Sequence, residues 1–160
     1  VSTSLEGWPD CITLTIPGDP ISKGRPRVYN GHGITPEKTR QAEMLVAEEF
    51  RRQYPDWQPY PGPVGIDLMF WLETRRGKDW DNLAKLTTDA LNGIAWVDDR
   101  QIIYSGVNKR LPDLWVVGER GIRKHKTGDP LTWHGHHYKP HTDLIIRFYQ
   151  EYQPKPTETK

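Results

Sequence analysis

From Cys11 to Ile16, the apolar residues Ile12, Leu14 and Ile16 alternate with threonines, the period-two rhythm of a half-buried β-strand, and Pro17-Gly18-Asp19-Pro20 stops it. The rhythm returns between Val64 and Glu73, where Val64, Ile66, Leu68 and Phe70 take one face and Gly65, Asp67, Met69 and Trp71 the other. Thr142 to Tyr149 repeats it with Leu144, Ile146 and Phe148, and Gln101 to Val107 reads as a further strand. Two segments follow helical spacing instead. Thr35-Pro36 predicts an N-cap followed by proline at the first helical position, and Ala42, Leu45, Val46 and Phe50 form a stripe from Glu37 to Tyr54 that Pro55 ends. Between Trp80 and Asn92, the residues Leu83, Leu86, Thr87, Ala90 and Leu91 make a second stripe, closed by Asn92-Gly93. Together these elements predict an α/β (α+β) fold in which a single compact domain packs a mixed β-sheet with two main helices.

A length of 160 residues suits one domain and one core. Residues 1–10 read as an N-terminal extension, 11–150 as the folded domain and 151–160 as a flexible tail of prolines and charges. The stretch 109–141 has no clear periodicity; it is basic and histidine-rich and reads as a long insertion or loop. No run approaches the roughly 18 apolar residues of a membrane span. Cys11, the one cysteine, permits no internal disulfide and reads as a small core residue; the first residues lack the regions of a signal peptide, so a cytoplasmic setting is expected. A net charge of +1 does not by itself announce nucleic acid, so any such partner must meet a local basic surface.

Chemistry concentrates around the second predicted helix. Asp79-Trp80-Asp81-Asn82-Leu83-Ala84-Lys85 opens it and Val97-Asp98-Asp99 follows its end. Carboxylates held close repel one another and lose hydration, which a cation between them relieves. Oxygen donors suit Mg²⁺ or Mn²⁺, and the absence of CxxC pairs argues against zinc or iron-sulfur chemistry. Taken alone, Asp81 reads as readily as a helix cap, and Lys85 as an i,i+4 partner of Asp81 or Asp89. Beside a metal, the same lysine would hold a scissile phosphate, so metal-dependent phosphodiester hydrolysis is the leading chemistry.

Three basic groups bracket these acids: Lys23, Arg25 and Arg27; Arg75, Arg76 and Lys78; and Arg100, Lys109 and Arg110. In extended chain the first three share a face. Each group is either a solvated surface or a set of phosphate contacts. Trp71, Trp80 and Trp96 read as core in preference to base-stacking residues. His134, His136, His137 and His141 read as a basic surface loop in contact with nucleic acid in preference to a zinc site, because no cysteine stands at zinc-ligand spacing.

Three segments in order give the chain a family resemblance: Gly18-Asp19-Pro20-Ile21-Ser22-Lys23-Gly24-Arg25-Pro26-Arg27; Asp79 to Lys85 with Asp89-Ala90-Leu91-Asn92; and Asp98-Asp99-Arg100-Gln101-Ile102. In these the chain resembles the RusA family of Holliday-junction resolvases, often carried by bacteriophages and prophages. The resemblance implies a homodimer that uses Mg²⁺ or Mn²⁺ to nick opposed strands of a four-way DNA junction. It assigns metal binding and catalysis to Asp79, Asp81 and Asp99, the active-site lysine to Lys85, and an adjoining acidic position to Asp98. Nucleases of other branched DNA, and a DNA-binding module without activity, are the alternatives.

Overall fold

The computed structural model describes residues 7–24, 27–34 and 36–157. Arg25 and the expected cap Thr35 lie outside them, as does the side chain of Arg27. Four strands form a mixed sheet in the order β1-β10-β4-β5, where β1 is Cys11–Pro17, β4 Val64–Trp71, β5 Ile102–Arg110 and β10 His141–Phe148. The pairs β1/β10 and β10/β4 are antiparallel, and β4/β5 is parallel. A parallel neighbour requires a crossover. Helix α2, Trp80–Leu91, supplies it and thereby carries both acidic clusters on one β4-α2-β5 unit.

One face of the sheet is covered by α1, Glu37–Gln53, and α2. Ile12, Leu14, Ile66, Leu68, Phe70, Leu144 and Ile146 point there and are buried with Phe50, Leu83 and Leu91. The opposite face is polar. Thr15 donates to Asp143 at 2.9 Å and Arg147 pairs with Asp67, so Asp67 on β4 and Asp143 and Arg147 on β10 lie between core residues on the outward side. This alternation corrects the expectation for Cys11: it stands on the outer face of the edge strand β1 and is exposed.

Helix α1 begins one residue later than expected, with Pro36 at the N-cap, and β5 runs three residues beyond Val107. The stretch 109–141 is not one loop. It contains the hairpin of β6, Trp115–Gly118, with β7, Gly121–Lys124, and the short hairpin of β8, Thr132–Trp133, with β9, His136–His137. A third small hairpin pairs β2, Arg27–Tyr29, with β3, His32–Ile34. No helix of the described residues is long and apolar enough to cross a membrane.

Candidate active site

Strand β4 ends at Trp71, and a basic loop returns the chain to the start of α2. Asp79 is the N-cap residue of that helix in extended conformation, yet its side chain makes no capping hydrogen bond. The carboxylate is exposed and accepts from the Asn82 side-chain amide at 3.4 Å. Asp81, in the first turn, accepts from the backbone N–H of Asn82 at 2.9 Å and is also exposed. Both acids stand at the N-terminal end of the helix.

One turn on, Lys85 reaches onward to Asp89, with Nζ 3.7 Å from its carboxylate. Asp81, Lys85 and Asp89 are spaced i, i+4, i+8 and therefore share a face. Asp89 and Lys85 both bear on the charge of Asp99. Its carboxyl is pushed up from the usual aspartate range, first by burial and then by Asp89 and Asp98, while the Trp96 indole and Lys85 oppose the rise. The indole donates to Asp99 at 2.7 Å from a fully buried ring.

The turn that presents Asp99 is a single 3₁₀ turn, Asp99–Gln101, capped by Asp98. Asp98 accepts from the Arg100 backbone N–H at 2.9 Å, a bond that holds its carboxyl below the usual range. Gln101 completes the box: its side-chain oxygen accepts from Asp98 N–H at 2.7 Å, and its amide donates to the carbonyls of Tyr60 and Gly62 at 2.6 and 2.7 Å. Asp98 is thus occupied as a cap with a lowered carboxyl, and its neighbour Asp99 carries the raised one.

The basic residues divide by what they touch. Lys23 pairs with Asp89 and with Glu43 at 3.2 Å, and its backbone N–H bonds to Asn82 C=O at 3.0 Å, which clips the glycine- and proline-rich segment to α2. Burial pulls the Lys23 ammonium down, but Asp89 and Glu43 outweigh it and the net direction is up. Its side chain is 20% exposed against 63% for Lys85, so Lys85 is the better placed of the two to reach a phosphate. Arg75 donates to Pro112 C=O, Lys78 to Asp19 and Pro20, and Lys109 to Lys78 C=O beside Asp79. Arg76 and Arg100 lie on the surface.

Asp89, Glu43 and Gln101 were not among the sequence-derived site residues. Asp89 was read from the sequence only as an i,i+4 partner of Lys85, which the structure bears out. Glu43 sits on the other helix, and nothing local in the sequence connects it to Lys23. Of the tryptophans, Trp96 is core, Trp71 is partly buried against His141 and Trp133, and Trp80 is 60% exposed, contrary to the core expectation. Two of the histidines have local partners: His134 forms a turn at φ 49° and its backbone N–H bonds to Asp113, and His141 stacks on Trp71 and contacts Asp143; His136 and His137 are exposed on β9.

Among the described residues, no three His, Cys, Asp or Glu side chains gather closely enough to hold an ion by themselves. The chemistry of the donors nevertheless fits a hard divalent cation. Asp79 and Asp81 offer exposed carboxylate oxygens, and the crowded charge at Asp99 is of the kind that a cation relieves. Magnesium keeps several waters and takes further ligands from substrate, so a closed protein cage is not required.

The sequence model of the family described as Endodeoxyribonuclease RusA matches residues 17–114, a span that holds both acidic clusters, Lys85 and the Lys23 segment. The chain belongs to this family of endodeoxyribonucleases. It is also similar to the uncharacterized protein YqaN of Bacillus subtilis (strain 168), 29% identical over 125 residues that take in 62% of this chain and 87% of the relative. The family match ends at residue 114, one position before the β6-β7 hairpin.

Proposed function

We propose that the protein is a divalent-metal-dependent endodeoxyribonuclease that resolves four-way DNA junctions by paired phosphodiester hydrolysis in recombination and repair. The observation that carries this reading is the Lys85–Asp89 pair on α2, whose two charges both act on the Asp99 carboxyl, with the exposed Asp79 and Asp81 at the start of the same helix and all of them inside the span matched by the family. Asp79, Asp81 and Asp99 are the residues that would hold Mg²⁺ or Mn²⁺. Such an ion, when bound, supplies an activated water and charge neutralisation at the leaving oxygen. The chain's own groups do the rest. Lys85 offsets phosphate charge, with Asp89 restraining its position; Arg76 and Arg100 take flanking phosphates; the Trp96 indole fixes the Asp99 carboxylate in one orientation.

Paired cuts imply paired sites, and we infer a two-fold homodimer. Exposed Ile103 and Tyr104 on the edge strand β5 support a contact between copies there. A cytoplasmic setting, in a bacterium or a phage-infected cell, is consistent with an exposed free thiol at Cys11. The test is digestion of labelled four-way junction, flap, linear duplex and RNA with Mg²⁺ or Mn²⁺, comparing the native chain with Asp79→Asn and Asp99→Asn. Junction cutting that both substitutions abolish is the expected result. Undiminished cutting by both overturns the assignment, and preferential cutting of flap or RNA moves it to another branched or single-stranded substrate.

A further inference from the structure

The β6-β7 hairpin lies beyond the matched span and presents an unpartnered face. Its register pairs Trp115 with Lys124 and Val117 with Ile122, so all four side chains stand on one side of the ribbon. Val117 is 86% exposed and Ile122 76%, and Trp115 is more than half exposed with the Lys124 ammonium over its ring. Two β-branched residues displayed at the end of a ribbon are an unusual use of apolar surface, since water-facing positions of an antiparallel pair are ordinarily polar.

The opposite side anchors the ribbon. Arg123 makes a two-pronged pair with Asp129 at 2.7 and 3.0 Å, and His125 N–H bonds to Leu114 C=O. Asp113 gathers the Thr132 hydroxyl and the N–H groups of His134 and Gly135, which ties the second hairpin to the base of the first. The root is joined to the active-site loop through Leu72 N–H to Arg110 C=O and Arg75 to Pro112 C=O. An isolated two-stranded ribbon is marginal in water, so these bonds give the projection its stiffness.

From this face we infer that the β6-β7 hairpin is a wedge for branched DNA: Val117 and Ile122 enter the opened base stack at the branch, and Arg120 and Lys124 hold the adjoining phosphates. The inference rests on the junction-nuclease reading. Charge decides the occupant. Between Trp115 and Lys126 the chain carries Arg120, Arg123, Lys124 and Lys126 against Glu119 alone, and Arg123 is already neutralised by Asp129. A second copy of the same face would bring lysines and arginines together, whereas a phosphate backbone neutralises them. Apolar side chains flanked by cations are the means by which proteins unstack and kink a duplex.

The test uses the full chain with Ca²⁺ in place of Mg²⁺, a four-way junction carrying 2-aminopurine at the branch, and a linear duplex of the same length. V117S/I122S, at exposed positions, should weaken junction binding by about tenfold or more and abolish the rise in 2-aminopurine fluorescence, with duplex binding unchanged. R120A/K124A should weaken binding to both DNAs and make the log–log salt dependence shallower by about 1.8 for the two lost phosphate contacts. A full fluorescence rise with V117S/I122S overturns the wedge while leaving the nuclease reading intact. Conversion of a native dimer to monomer by the same variant, seen by sedimentation, overturns it in favour of a contact between copies. Failure of the native chain to prefer junction over duplex removes both readings together.

Discussion

Gln101 is the residue on which the Asp98-Asp99 turn depends. Its side chain closes three hydrogen bonds, one from Asp98 N–H and two to the carbonyls of Tyr60 and Gly62, so it fastens the turn to a segment some 40 residues earlier in the chain. A neutral hydrogen bond contributes about 1 kcal/mol net, and Gln101→Ala removes all three, for a loss of about 3 kcal/mol. Tyr60 C=O retains Val97 N–H at 3.3 Å, which moderates the loss on that side. For a domain of this size each kcal/mol lowers the melting temperature by about 2–4 °C, so the expected fall is about 6–12 °C. Gln101→Glu is the discriminating companion. It keeps the acceptor for Asp98 but turns a carboxylate toward two carbonyls, so it should be at least as damaging as alanine at neutral pH and recover as acid protonates it. Calorimetry of both variants between pH 4 and 7 is the assay. A melting temperature for Gln101→Ala within about 1 °C of the native protein would refute the reasoning, because three bonds of that geometry cannot be lost so cheaply.

Asp99 gives a prediction with a definite sign. Its folded carboxyl binds a proton more tightly than an unfolded aspartate, so stability falls as pH rises from the ordinary carboxylate range through the raised folded value. Asp99→Asn should therefore gain on the native protein in urea midpoint between pH 4 and 7 while losing cleavage; a gain that shrinks toward neutrality would contradict this. Trp96→Phe removes the indole donor and leaves a small void, with an expected cost of about 2–4 kcal/mol and a shift of the acid limb of the cleavage profile to higher pH. Asp129→Asn should loosen the first hairpin selectively. Hydrogen exchange at the amides of 115–124 is expected to accelerate with little change in the sheet, and uniform protection in both regions would count against the anchoring role of the Arg123 pair.

The sheet and both helices were legible because each obeys an inside-outside period. Ile12, Leu14 and Ile16 alternate at two residues, and Leu83, Leu86, Ala90 and Leu91 repeat at helical spacing; all are buried in the structure. The same logic misplaced Trp80, since an indole next to a helix start reads as core unless its neighbours already fill the core. It also failed across 109–141. There Val117 and Ile122 point outward, so apolar residues do not mark the interior, and the strands of 4 and 2 residues are too short to show a period. A tight Gly118-Glu119-Arg120-Gly121 turn, with Gly121 at φ 107°, was the available signal for the first hairpin.

The acidic positions were visible from their spacing, whereas the Asp89-Lys23-Glu43 contact was not. It joins a loop and two helices whose approach is set by packing.

The place of β10 within the sheet has a consequence for biosynthesis. It lies between β1 and β4, yet it leaves the ribosome after the other three strands of this sheet. The β4-α2-β5 unit, with every proposed metal ligand, can assemble as soon as residue 110 has emerged. Until His141–Phe148 follows, β1 and β4 each expose a long row of unpaired backbone groups facing the same vacant slot. The nascent protein would thus carry its chemical groups before it owns a closed sheet, and a ribosome stalled between those points would release an aggregation-prone chain in place of an active nuclease.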